Sequence, residues 1–381
     1  MKYMRLLLLL QLLIFISSCY HEEESYIIND KTYPIICEEE YFVEWVTENI
    51  NPRHIVISTN GENLFSITDS GLVKYQIDGM VKIYEKEVEL GSILRHSERP
   101  DKKIWVIGNF GYPQWTRNAY LIDTLGNILV TKEIHKDANT IVAAKNNGFI
   151  LAWDEYEGPY STKTGRYFVE SRDNQGNLKW KNNFELANGD IECITYLNTS
   201  EILVGGYIDS LNIEYQATAK PYIAKIDTLG NMIWAIALDI QGLYDGLSIK
   251  DILERNEQAY NIVLHETGLS YVAEIDSSGE IYWTTEFSAY YNSGYNNMLY
   301  SQDDNIIVLT GNGLICLGTA GQILWENQYT GFNVSDYLSI NILKSGELLI
   351  GANTFHYDGI SYYPITDNYF IKTDKDANTC Y

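Results

Sequence analysis

The chain has 381 residues, of which 45% are hydrophobic and 20% charged, and its formal net charge is −24. That balance suits a chain able to bury a sizeable core. It argues against nucleic-acid binding, which needs clustered Lys and Arg against phosphate, and against electrostatic docking on anionic lipid.

The first segment, "MKYMRLLLLLQLLIFISSC", opens with Lys2 and Arg5, continues with an apolar run from Leu6 to Ile16, and ends in small residues. This is the pattern of a secretory signal. The run is too short for a good transmembrane helix. Its end, "ISSC", resembles a bacterial lipobox. That resemblance implies cleavage before Cys19 and acylation of that residue, and several acyl chains anchor firmly. An ordinary signal peptide with an incidental cysteine is the other reading. Tyr20 stands where Asp marks inner-membrane retention, and "HEEES" resembles the acidic tags of surface-exposed lipoproteins. The expected location is therefore the outer membrane, on its cell-surface or its periplasmic side. Residues 1–18 read as the signal peptide, 19–36 as a tether and 37–381 as one domain.

"CEEEYFVEWV" (37–46) reads as a strand, and "HIVIS" from His54 as the next. A unit then recurs: "LVKYQIDGMVKIY" (72–84), "YLIDTLGNILV" (120–130), "FVESRDNQGNLKW" (168–180), "YIAKIDTLGNMIW" (222–234), "YVAEIDSSGEIYW" (271–283), "LICLGTAGQILW" (314–325) and a truncated "YFIKTDKDANTCY" at the end. The turn positions Asp78, Asp123, Asp173, Asp227, Asp276, Gly318 and Asp374 are 45, 50, 54, 49, 42 and 56 residues apart. Seven copies with a period near fifty match four-stranded propeller blades. Two further strands precede each unit, as in "TIVAAKNNGFILAW" (140–153).

The unit's chemistry is that of a turn between strands. Alternating apolar residues make a half-buried strand. An Asp at the turn start accepts from backbone N–H groups two residues on, and Gly three residues later takes positive φ. Trp180, Trp234, Trp283 and Trp325 each fall seven residues after the turn's first residue. There they are placed to cover the seam between blades. Asp227, Gly230, Asn231 and Trp234 resemble the Asp-x-x-Gly-Asn-x-x-Trp repeat of bacterial exported β-propellers, a cousin of the quinoprotein-like repeat. That resemblance spans roughly residues 40 to 381. It implies a fold and carries over no catalytic residue.

The expected fold is all-β: a seven-bladed β-propeller of four-stranded blades, closed by an N-terminal strand that completes the last blade. Trp45 is expected in the recurring Trp position of that strand. Cys37 and Cys380 then fall beside one turn and are expected to form a disulfide that clasps the ring, as an oxidising compartment permits. Two free thiols are the alternative. Cys193 and Cys316 read as buried small hydrophobes.

Within each blade we label the strands a to d in chain order. The c–d turns are tight and uniform, whereas the b–c and d–a loops, which share the other end of a propeller, are long and varied. Many of the 31 Tyr lie in these loops. Tyr112, Trp115, Tyr156, Tyr160, Tyr244, Tyr291, Tyr357 and Tyr362 are the candidate ligand-binding residues, and loop-on-loop packing is the alternative use of each. Aromatic, carboxamide and carboxylate side chains suit sugar rings or protein hot spots. The expected activity is a non-catalytic binding module for glycan or protein. The alternatives are an outer-membrane assembly scaffold on the periplasmic side, and a glycan hydrolase or lyase drawing on Asp154, Glu155, Glu157, Asp245 and Asp358. No His pair has metal-ligand spacing, so neither a metal nor a cofactor is expected.

Overall fold

The apolar runs fold as antiparallel strands, and the short polar stretches between them as turns. A computed structural model describes the strands between residues 25 and 87, together with residue 90 and residues 92–110, 116–157, 162–185, 189–211, 217–240, 247–266, 269–287, 298–311, 313–328, 336–343, 346–356 and 365–373. Among the described residues there is no helix, and so none long and apolar enough to cross a membrane.

Strands β1 (Ser25–Ile28) and β2 (Lys31–Pro34) pair as a separate hairpin inside the stretch read as a tether. Strand β3 (Trp45–Thr47) follows. The first four-stranded sheet holds β4 (His54–Val56), β5 (Asn63–Thr68), β6 (Gly71–Gln76) and β7 (Val81–Glu87). The second holds β8 (Ser92–Glu98), β9 (Ile104–Phe110), β10 (Thr116–Ile122) and β11 (Ile128–Ile134). The third holds β12 (Thr140–Ala143), β13 (Phe149–Glu157), β14 (Thr162–Arg172) and β15 (Leu178–Glu185). The fourth holds β16 (Gly189–Tyr196), β17 (Ile202–Leu211), β18 (Ala217–Ile226) and β19 (Met232–Ala237). The fifth holds β20 (Ser248–Asn256), β21 (Ala259–Glu266), β22 (Leu269–Asp276) and β23 (Ile281–Phe287). The sixth holds β24 (Met298–Tyr300), β25 (Ile306–Leu309), β26 (Gly313–Leu317) and β27 (Ile323–Gln328). In the seventh, β28 (Asp336–Ile342), β29 (Leu348–His356) and β30 (Ile365–Thr373) are joined at the outer edge by β3.

The first strands of successive sheets touch: β8 and β12, β12 and β16, β16 and β20, β20 and β24, β24 and β28, β28 and β4; β5 approaches β8. The core lies between sheets rather than within one. Trp105, Leu121 and Ile134 of the second sheet pack with Phe149, Leu151 and Trp153 of the third. Ile150, Ala152 and Val169 on the other side of the third pack with Ile191, Val204 and Tyr222 of the fourth. A second strand such as β13 is therefore buried on both faces, which explains why "FILAW" is continuously apolar where the outer strands alternate. The outer strand β19 alternates between exposed and half-buried positions from Ile233 to its end.

The repeated turn behaves as its sequence dictates. Asp227 Oδ1 accepts from the N–H groups of Leu229 and Asn231, each at 2.8 Å, and Oδ2 accepts from Asn231 Nδ2 at 2.9 Å. Asp123 and Asp173 make the same set with Leu125 and Asn127, and with Gln175 and Asn177. The bonds hold the charged form, led by Asn231 for Asp227 and by the Asn177 N–H for Asp173, and lower both carboxyls below the usual range. Gly126, Gly176, Gly230, Gly279 and Gly321 all have positive φ.

The turn glycine also receives the preceding sheet's Trp. Trp180 Nε1 donates to Thr228 O at 2.8 Å, and a Cβ added at Gly230 would lie 2.7 Å from the Trp180 ring. Gly321 meets Trp283 in the same way, at 2.4 Å, while Gly346 faces only the end of Gln302, at 3.1 Å. Both glycines have left-handed φ, +82 and +91. Gly346→Ala is expected to cost about 1 kcal/mol for backbone strain alone. Gly321→Ala adds the collision with the indole and is expected to cost about 3 kcal/mol, read by urea unfolding.

One register differs from expectation. In sheets three to six the recurring Trp pairs with the residue two before the turn's first: Trp180 with Ser171, Trp234 with Lys225, Trp283 with Glu274, Trp325 with Cys316. Trp45 pairs instead with Phe370, four before Asp374. It thus occupies the position two residues further along the strand, the place of Asn182, which pairs with Val169. A displacement of two residues keeps each side chain on its own face of the sheet, so the alternation around a lone Trp does not reveal it.

Cys193 and Cys316 are buried thiols, and burial pushes the Cys193 thiol up. Cys19, Cys37 and Cys380 lie outside the described residues. His96 on β8 is buried, and burial followed by the neighbouring Arg95 charge lowers its pKa from 6.5 to about 4. The folded state thus resists a proton that the unfolded chain accepts below pH 6.5. Stability is at its full value above that pH and falls as pH drops towards 4, by about 3 kcal/mol from this residue. The turn carboxylates act in a more acidic window, since their stabilisation is lost only as they protonate. Urea unfolding at pH 7.5 and 4.5 measures the effect, and His96→Asn should remove most of the difference.

Candidate functional site

The b–c and d–a connections of successive sheets leave from one end, and the repeated c–d turns occupy the other. Of the eight aromatic candidates, Tyr112, Trp115, Tyr160, Tyr244, Tyr291, Tyr357 and Tyr362 lie outside the described residues. Tyr156 is in β13, its backbone paired with Lys163. The described part of this end is the shoulder on which the loops stand.

On the third sheet the shoulder is aromatic. Trp153 is fully buried. Its ring stacks on His135 at 4.9 Å and on Phe168 at 5.4 Å, each tilted by 16°. Lys181 Nζ lies 4.3 Å from the Phe168 centroid and 4.8 Å from that of Trp153, within cation–π range. Burial, with the charges of Lys181 and Lys136, lowers the His135 pKa despite Asp137 and Glu155. His135 therefore stacks as a neutral ring. Arg166 pairs with Glu155 at 3.2 Å on the surface, a contact of small energy.

Asp154, one of the acids a hydrolase would draw on, is buried and accepts a 3.1 Å hydrogen bond from the Ile191 N–H. It ties the third sheet to the first strand of the fourth. Just beyond Ile191 the strand bulges: Ile191 pairs with Gly206 and Cys193 with Gly205, leaving Glu192 as the extra residue. A Cβ on Gly206 would lie 1.8 Å from Asp190 O, so glycine is what lets β16 fold over β17 here. β20 carries the same bulge, with Lys250 extra between Ile249 and Asp251.

The two bulged residues form an ion pair across the seam, and Ser248 Oγ donates to Glu192 Oε2 at 3.3 Å. His265, opposite Ser248 in register, has Nδ1 3.1 Å from Ser270 Oγ. Burial and then the Lys250 charge lower the His265 pKa, keeping it neutral at pH 7. Sequence reasoning missed Glu192, Ser248 and Lys250. Among the described residues no cluster of His, Cys, Asp and Glu is arranged to hold a metal ion.

At the opposite end the surface is apolar and repetitive. Leu125 and Leu229 at the turn tips are 65% and 70% exposed. Leu129, Ile233, Tyr282 and Leu324, each the extra residue of a bulge in an outer strand, are also exposed.

No model of a known protein family matches the chain, and no curated protein does. Solved structures match it. The WD40 β-propeller domain of Doa1 aligns with a TM-score of 0.57 at 10% identity, over 86% of this chain and 96% of that one. The β-propeller domain of Cps50 (Swd1) from Myceliophteria thermophila aligns with a TM-score of 0.54 at 9% identity, over 81% and 96%. Kluyveromyces lactis Hsv2 aligns with a TM-score of 0.50 at 9% identity, over 86% and 100%. At these identities the likeness is one of fold. The chain is a β-propeller.

Proposed function

We propose that the protein is a lipid-anchored, exported binding module, a closed seven-bladed propeller of the exported bacterial repeat type that takes a glycan or a protein on its b–c and d–a loop face. The observation that carries this reading is the contrast between the two ends. The c–d turns repeat the same Asp-centred bonds in sheet after sheet, as a structural element does. The opposite end changes in length and composition from one loop to the next, as binding loops on a rigid scaffold do. Seven four-stranded sheets, the run of first-strand contacts and the pairing of β3 with β30 support the closed ring. The leader and Cys19 support acylation and placement in the outer membrane.

A glycan array probed with protein from Tyr20 onward tests the reading. Alanine at Tyr112, Trp115, Tyr156, Tyr160, Tyr244, Tyr291, Tyr357 and Tyr362 should abolish the signal. A signal that survives all eight substitutions overturns the assignment to this face. Acylation is tested separately by mass spectrometry of the membrane-bound protein, and the side of the membrane by protease shaving of intact cells.

A further inference from the structure

The first strands of sheets four and five break their ladders at matching depth, and the break aims two charged side chains at each other. A bulge redirects the extra residue. Here it brings Glu192 and Lys250 together although they are far apart in sequence. Both are about a quarter exposed, 21% for Glu192 and 24% for Lys250, so the pair is accessible. Ser248 and Lys250 both address Oε2 of Glu192, and Oε1 accepts no hydrogen bond among the described residues. Lys250 Nζ carries three protons, of which the pair with Glu192 occupies one.

Among the described residues the site thus offers an unfilled acceptor and an unfilled donor side by side. Three ligand types can be weighed against it. A simple anion would meet the Glu192 carboxylate, and a simple cation would meet the Lys250 ammonium, so each is opposed by one member of the pair. Two hydroxyls on adjacent ring carbons suit both members. One hydroxyl donates to Glu192 Oε1, its neighbour accepts from Lys250 Nζ, and the ion pair stays intact. Charge-assisted hydrogen bonds of this kind are about twice as strong as neutral ones. We propose that Glu192 and Lys250 form a recognition site for the vicinal hydroxyls of a sugar ring, at the inner end of the loop-bearing face. Asp154 and Gly206 are positioning residues, the first holding Ile191 and the second admitting the bulge. The proposal rests on the reading of that face as a glycan-binding surface.

The test is a titration of protein from Tyr20 onward with the methyl glycosides of mannose, galactose and glucose, each beside a deoxy analogue lacking one hydroxyl of the vicinal pair. Saturation-transfer NMR and calorimetry read the binding. At least one glycoside should bind with a Kd of roughly millimolar order, and its deoxy analogue about tenfold more weakly. Glu192→Gln and Lys250→Met should each weaken the glycoside about tenfold and leave the unfolding midpoint close to that of the wild type. Unchanged binding in both variants, with loss on substituting Tyr112 and Trp115, would overturn this site and leave the loop face standing. Binding unchanged by either set would sink both. Failure of the wild type to bind any of the glycosides overturns the vicinal-hydroxyl site, and the loop face then stands or falls on the array.

Discussion

Gly206→Ala is expected to destabilise the protein by about 3 kcal/mol or more, an effect at the upper end for a single added methyl. The new Cβ would sit 1.8 Å from the Asp190 carbonyl oxygen, with the Glu192 nitrogen at 3.2 Å. Both are backbone atoms of the neighbouring strand, so no side chain can swing away. Either β16 separates from β17 or the bulge at Glu192 is pushed out. Both outcomes reach the pairing that brings Glu192 to Lys250. Urea unfolding measures the loss, and the glycoside titration measures the displacement. A variant within about 0.5 kcal/mol of the wild type would show that the strand does not fold over Gly206 as described.

Trp153→Ala is expected to cost about 4 kcal/mol, in the range for a fully buried large aromatic replaced by Ala. The indole fills the seam between the second and third sheets, stacked against His135 and Phe168 beneath Lys181. Its removal leaves a cavity that two β-sheets cannot easily close, and the stacking contribution is lost as well. Tyr282→Ala is the control. That ring is 57% exposed on an outer bulge, and its loss should change stability by no more than about 0.5 kcal/mol. Comparable losses in the two variants would mean that the core is not built on the seams.

The repeat was legible because its determinants are local. Asp227, Gly230 and Trp234 lie within eight residues, and the bonds they make are fixed by backbone geometry at that range. The broken last copy pointed to β3 as the missing partner of β30, because a sheet edge needs a strand and one was spare. The register of β3 was not legible, since a slip of two residues keeps every side chain on its own face and leaves the alternation unchanged. Glu192 and Lys250 were hidden because composition does not mark where a strand bulges. Each reads as an ordinary polar position in a strand, and only the juxtaposition of two bulges in neighbouring sheets makes them a pair. Asp154 was visible as a loop acid, but its hydrogen bond to Ile191 crosses between sheets and leaves no trace in sequence. The Tyr-rich loops stood out by composition, which says what they are suited to touch without saying how they fold.

The central claim is that binding belongs to the varied end of the propeller and not to the repeated turns. Leu125 and Leu229 give the turn end an apolar surface of its own, so the two ends can be set against each other directly. The decisive measurement is one glycan-array profile for the wild type, for the variant with all eight loop aromatics replaced by alanine, and for Leu125→Ser combined with Leu229→Ser. The wild-type profile should survive in the turn variant and disappear in the loop variant. A profile that disappears in the turn variant and survives in the loop variant would contradict the account.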